Sequence, residues 1–220
     1  MNSSTLNFSV RYKPRWRFFG EIKNTGKILE LGCGRGVNFH NLQLLSSTAE
    51  FYGVDIMSPQ EIDPLIQYQK VNLDEGKLPF PDNMFDAIIF THVIEHLRNP
   101  LTICSEIHRV LKPGGRIYIE TPNWTTMFAP SFGMRREQGH PFNFFDDPTH
   151  IKPWSKQGLF GFLSECRLRV ERVSTIRVWI RIPLDLIKMV IGILSGNREK
   201  VVNGFWNVWG WCIYGIGVKE

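Results

Sequence analysis

The sequence predicts a doubly wound α/β fold with a mostly parallel sheet, on three observations. Short apolar runs rich in β-branched and aromatic residues recur along the first 125 positions, and stretches with helical spacing separate them. The first apolar run also ends in three closely spaced glycines, the usual transition from a strand to a ligand-facing helix.

The elements follow in order. "KILELG" (27–32), "EFYGVDI" (50–56), "YQKVNL" (68–73), "FDAIIFTH" (85–92) and "RIYIETP" (116–122) have strand length, and several are apolar almost throughout. Near-continuous apolarity suits strands covered on both faces, hence parallel ones. Between them "GVNFHNLQLL" and "PLTICSEIHRVL" read as helices, the second opened by Pro100 and stopped by Gly114. Asp86, before the fourth run, reads as a turn residue.

A chain of 220 residues with 43% hydrophobic content can bury the core of one domain. Cys33, Cys104, Cys166 and Cys212 form no CxxC pair, and "MNSSTLNFSV" lacks a charged segment followed by an apolar one, so the expected location is the reducing cytoplasm. The net charge of +5 admits an anionic partner, although only "RYKPRWR" (11–17) concentrates it.

The glycines at 32, 34 and 36 describe a nucleotide-type cradle. A dinucleotide fingerprint needs its third glycine at position 37, where this chain has Val37, which argues against NAD and FAD. Glu30 lies between Leu29 and Leu31 at a strand end. Burying it ionised and unpaired would cost on the order of several kcal/mol, which a cationic or hydroxyl-bearing ligand would offset.

Taken together, "ELGCGRG", "YGVDIM", "VNLDEGKLPFPDNMFD", "FTHVIEHL" and "EIHRVLKPGGRIYIETP" resemble, in order, the motifs of class I S-adenosylmethionine-dependent methyltransferases of the small-molecule group. The resemblance covers residues 25–125 and implies a Rossmann-like, seven-stranded sheet with an antiparallel last strand. It also implies S-adenosylmethionine as cofactor. Contacts are expected from Glu30, Gly32, Cys33, Gly34 and Gly36, from Asp55 and Ile56 at the ribose, from Asn72, Leu73 and Asp74 around adenine, and from Thr91 and His92 near the methyl group. Glu95 and His96 resemble part of a metal set in ubiquinone-biosynthesis O-methyltransferases, but the first position is His92 here. The expectation is therefore helix packing and no metal.

One domain is expected, with an N-terminal cap (1–24), a cofactor half (25–125), an acceptor-pocket segment (126–165) and a helical insertion (182–208). "DPTH" resembles a stretch of methyltransferases of cell-envelope and surface-glycan biosynthesis, which implies a sugar or lipid-linked glycan acceptor in polysaccharide biosynthesis. His150 or His140 would serve as general base, with Asp147 or Asp146 orienting the imidazole. A quinone or other small molecule is the alternative acceptor, and a cofactor-binding interaction protein without turnover the alternative class. Nucleic acid is not expected, because "THVIEH" stands where an (Asp/Asn)-Pro-Pro-aromatic motif would be. "LRVERVSTIRVWI" (168–180) reads as a sixth strand and "GWCIYGIGVKE" as the last. The insertion between them reads either as an interfacial helix in peripheral contact with a membrane or as a dimer interface and packed lid. The sequence favours the latter, since Gly192 and Gly196 interrupt the helix and Asp185 the apolar run.

Overall fold

The structure, a computed structural model, describes residues 13–45, 47–129, 131 and 142–220. Its centre is a seven-stranded sheet: β1 (Lys27–Leu31), β2 (Glu50–Asp55), β3 (Gln67–Lys70), β4 (Phe85–Thr91), β5 (Leu111–Pro122), β6 (Arg169–Thr175) and β7 (Cys212–Val218), ordered β3-β2-β1-β4-β5-β7-β6. β1 pairs in parallel with both β2 and β4, while β7 runs antiparallel to β5 and β6. The order reverses at β1, so a crevice opens above the carboxyl ends of β1 and β4, where such folds bind ligands.

Side chains alternate between two covered faces, as the apolar runs require. Leu29 and Leu31 pack with helices α3 (Cys104–Val110) and α4 (Lys156–Glu165) through Ile107, Leu159 and Phe162. Ile28, Ala87, Ile89 and Tyr118 face α1 (Pro14–Ile22) and α2 (Val37–Leu44). Pro14 opens α1, and Phe18, Phe19 and Ile22 are buried beneath it. At about 1.5–3 kcal/mol for each such side chain, α1 is an integral layer of the fold.

Four sequence expectations are corrected. Asp86 lies within β4, where its Oδ2 accepts from the Lys27 amide at 2.7 Å and its Oδ1 from Lys112 Nζ at 2.7 Å, so it ties β1 and β5 to β4. β6 ends at Thr175 rather than continuing to 180. The insertion is a hairpin of two helices, α5 (Ile182–Leu194) and α6 (Arg198–Trp209), with Gly196 in the turn and the Asn197 side chain capping α6. Gly192 does not interrupt α5 but is buried inside it; a Cβ there would lie 2.7 Å from Val201 Cγ2. Gly204 plays the same part on α6, against Met189 and the Asp185 carbonyl, so the two backbones meet closely. Nor is α5 a packed lid: apart from Asp185 and Gly192 its side chains are exposed or half-buried. A small core of its own, with Ala129, Phe142, Val202, Phe205 and Trp211, seats α6 on the body.

Candidate active site

β1 ends in a loop whose backbone folds back on β2. The amides of Gly32 and Cys33 donate to the Val54 carbonyl at 2.8 and 3.1 Å, and the Gly34 amide donates to Asp55 Oδ2 at 2.9 Å. Gly34 has φ +48°, which favours glycine, and a Cβ there would meet no protein atom within 4 Å: the bare backbone faces open space. Asp55 Oδ1 accepts from the Met57 amide at 3.1 Å. The carboxylate is thus fixed beside the glycine loop at the β2 exit, with exposed Ile56 next to it.

Beneath this loop Glu30 is buried. Its Oε1 accepts from Asn38 Nδ2 at 2.5 Å, and its Oε2 has no partner among the described residues. Burial pushes its carboxyl up to about 8, against the pull of Asn38 and Arg15. Asn38 also donates to Thr91 Oγ1 at 2.9 Å and receives Arg15 Nη1 at 3.4 Å. Arg15 in turn forks Glu120, through Nε at 3.0 Å and through Nη2, while the Tyr118 hydroxyl donates to Glu120 at 2.6 Å. Burial disfavours the Glu120 anion, yet Arg15 and His92 hold its carboxyl well below the usual range.

Past Thr91 the chain turns sharply. His92 has φ +55°, an uncommon conformation for a non-glycine residue with a cost of order 1–3 kcal/mol, and its amide is held by the Glu120 carbonyl at 2.8 Å. The turn carries the imidazole between Glu95 Oε1 (3.4 Å from Nδ1) and Glu120 Oε1 (3.3 Å from Nε2). Burial works against its charge, but Cys212, Glu120 and Glu95 together raise its pKa well above the ordinary histidine value. The ring lines a cavity of about 760 Å³. Trp16 and Arg15 close one side, Trp206, Trp211 and Cys212 another, and polar residues of the hairpin, including Asn203 and Asn207, complete the wall.

The other expected contacts take mixed positions. Cys33 is buried, with burial first among the causes that push its thiol up to about 12. Leu73 is buried below a turn capped by Asn72, whose Oδ1 accepts from the Asp74 amide at 3.2 Å. Asp74 Oδ1 accepts from the amides of Arg98 and Asn99 at 2.9 and 3.2 Å, and so anchors a neighbouring loop. His140 lies outside the described residues. His150 is 5% exposed, with Nδ1 2.6 Å from the Phe144 carbonyl and Nε2 3.9 Å from Asp147 Oδ2; burial, first among the causes, lowers its pKa. It does not line the cavity. Asp146 accepts from the amides of Phe142 and Asn143 at 3.0 and 2.9 Å, which orders that loop.

Among the described residues, two trios could offer donor atoms to a metal: His92, Glu120 and Cys212, and Glu95, His96 and His150, each set within 4.8 Å. Arg15 already places a cation on Glu120 in the first.

Arg15, Asn38, Glu120 and Trp211 escaped the sequence reading. Glu120 carried the same signal as Glu30, an acid inside an apolar strand run, and Arg15 belonged to the basic "RYKPRWR".

A strand-to-helix glycine loop, an acid at the β2 exit and a sheet with only its penultimate strand in space reversed define a class I S-adenosylmethionine-dependent methyltransferase. The chain belongs to the family described as a methyltransferase domain, which matches residues 11–164. It is similar to a probable S-adenosylmethionine-dependent methyltransferase of Mycolicibacterium smegmatis, 35% identical over 148 residues, 66% of this chain and 52% of that protein. A ubiquinone biosynthesis O-methyltransferase of Dechloromonas aromatica is 25% identical over 145 residues, 59% of this chain and 62% of that one. The chain thus spans about half to three fifths of these curated relatives. Among solved structures, an S-adenosylmethionine-dependent methyltransferase from Mesorhizobium loti matches with TM-score 0.63 at 17% identity, covering 93% of this chain and 97% of that one. The residues present fit the cofactor: Glu30 Oε2 lacks a partner, Asp55 is fixed to accept hydroxyls, and Gly34 leaves space above its backbone.

Proposed function

We propose that this chain transfers a methyl group from S-adenosylmethionine to a hydroxyl of a sugar, in a glycan or lipid-linked glycan intermediate. The carrying observation is the cavity beside His92, where tryptophan faces alternate with amide, ammonium and guanidinium groups. Flat aromatic faces suit the C–H faces of a sugar ring, and the convergent polar groups suit its hydroxyls. Lys13, Arg181, Lys188 and Lys200 on the same wall suit a phosphate-bearing acceptor.

When bound, S-adenosylmethionine supplies an electrophilic methyl on a sulfonium. Glu30, Asp55 and the Gly34 backbone would hold it beside the cavity. His92 would take the proton from an acceptor hydroxyl in the cavity, leaving the oxygen free to accept the methyl that the cofactor would supply. Glu95 and Glu120 stabilise the imidazolium that results. His92 is better supported as this base than His150, because only His92 lines the cavity. Its carboxylate neighbours stand farther off than the 2.7–2.9 Å or so of a full charge-assisted bond, which leaves the ring able to turn to an acceptor.

A catechol-type quinone precursor is the second reading, favoured by the similarity to ubiquinone biosynthesis O-methyltransferases. Incubation with methyl-labelled cofactor and parallel panels of lipid-linked glycans and catechols tests both. Label recovered as O-methyl sugar after acid hydrolysis is the expected result; label confined to the catechols would replace the glycan reading.

A further inference from the structure

We propose that the outer face of α5 docks on an anionic lipid surface and holds the cavity mouth against it. The helix is amphipathic in the inverted sense. At about 100° per residue, Asp185, Lys188, Met189 and Gly192 fall on one side. Asp185 and Gly192 there are buried, and Asp185 is bound by Asn207 Nδ2 at 2.7 Å and Arg181 Nη2 at 3.3 Å. Leu186, Ile187, Val190, Ile191, Ile193 and Leu194 occupy the other half of the circumference, and every one is exposed, Leu194 at 82%. Trp179 and Ile180, also exposed, prolong the strip toward β6. A soluble helix points its apolar half inward; this one turns its broad aliphatic half outward and buries Asp185 and Gly192 instead, with close contacts at Gly192 and Gly204 between the two helices.

The rim supplies the charge. Arg177, Arg181, Lys188, Arg198 and Lys200 lie in the same stretch of chain, Arg181 paired with Asp185 and Arg177 donating to the Trp209 carbonyl at 2.7 Å, whereas the acids in it are Glu199 and the buried Asp185. Such cations are attracted to an anionic lipid surface, and the apolar strip adds insertion into the headgroup boundary. No helix among the described residues is long and apolar enough to cross a membrane, so α5 would lie in the surface plane. A second copy fits less well. Across a two-fold axis the same cations would meet one another, and a helix about 20 Å long offers well under the ~800 Å² per partner of a stable pair. A flat partner would also leave part of a half-circumference strip uncovered, whereas lipid wraps it.

Arg181, Lys188 and Lys200 belong to both the rim and the cavity wall. Docking would therefore bring the mouth to an acceptor held in the lipid, and this consequence alone rests on the acceptor reading above; the docking itself does not.

Co-sedimentation of the full chain with vesicles tests it, using phosphatidylcholine alone or in about equal parts with phosphatidylglycerol. The expected result is binding to the mixed vesicles only, weakened at least about tenfold by high salt. Ile187→Asp and Leu194→Asp, both at exposed positions, should each lose about tenfold or more in binding while leaving S-adenosylhomocysteine affinity unchanged. Wild-type protein that stays in the supernatant with anionic vesicles at low salt would overturn the proposal. So would a solution dimer that Ile187→Asp splits, since the face would then belong to a second copy. Docking without methylation of any glycan would instead reject the acceptor reading and leave this one standing.

Discussion

The two halves of the molecule solve opposite problems. Around β1, β2 and β4 nearly every apolar side chain is buried, and the few polar groups there hold one another in fixed positions, as Glu30, Asn38 and Thr91 do. The hairpin after β6 keeps its buried contacts to a small satellite core and turns its greasy side outward. The first half is organised to hold one ligand in one pose. The second leaves an apolar helix face uncovered by the described residues. Loss of a side chain should therefore be felt as lost binding or turnover in the first half, and as lost local packing in the second.

The sharpest separation comes at His92, on the boundary. His92→Gln should lower methyl-transfer turnover by about 10² to 10⁴ while S-adenosylhomocysteine affinity, measured by calorimetry, changes little. Since Cys212, Glu120 and Glu95 raise the pKa of His92 against the effect of burial, wild-type turnover should climb as pH rises through that elevated value, and the variant should lose this limb. If His150→Ala rather than His92→Gln removed the limb, the base would lie in the 142–150 loop.

Asp55→Ala should weaken S-adenosylhomocysteine by about 1.5–3 kcal/mol, because it removes a charged acceptor for two hydroxyls and frees the Gly34 amide. Unchanged affinity would move the ribose contact elsewhere. In the hairpin, Gly204→Ala places a Cβ 2.5 Å from Met189 Cγ and 2.7 Å from the Asp185 carbonyl. A stability loss of about 1–3 kcal/mol in denaturant unfolding is expected, with cofactor affinity kept. Equal loss of both would erase the distinction between the halves.

A further effect concerns a proton. Glu30 has its carboxyl pushed up to about 8, above its value of about 4.3 in an unfolded chain. The folded state therefore holds an extra proton between those values, and stability declines as pH rises through the window. Glu30→Gln should flatten that decline. Cofactor binding, which pairs the carboxylate, should release a proton near neutral pH; calorimetry in buffers of different ionisation enthalpy would show it, and the variant would not.

The first five strands were legible because buried parallel strands leave long apolar runs and the glycine loop has a fixed spacing. Glu30 and Asp55 could be read for the same reason, as acids at strand ends. Arg15 and Glu120 are 105 residues apart, and only the β5 register brings the carboxylate under α1. The hairpin misled in a more instructive way. Reading apolar residues as buried is right wherever the chain is its own solvent, and α5 breaks that assumption; hence the expectation of a packed lid. Gly192 misled likewise, since a glycine that ends a helix and one that lets two helices touch look alike in sequence.

Arg15 carries one last implication. A single guanidinium reaches Asn38, which holds Glu30 in the cofactor floor, and grips Glu120, which faces the acceptor cavity through His92. Any occupant of the cavity that draws Glu120 toward itself changes the grip on Asn38, and occupancy of the floor changes the grip on Glu120. Such linkage is reciprocal by thermodynamic necessity: whatever factor the cofactor adds to acceptor affinity, the acceptor returns to cofactor affinity. A guanidinium shared between Asn38 and Glu120 would make occupancy of the two sites interdependent without any moving domain.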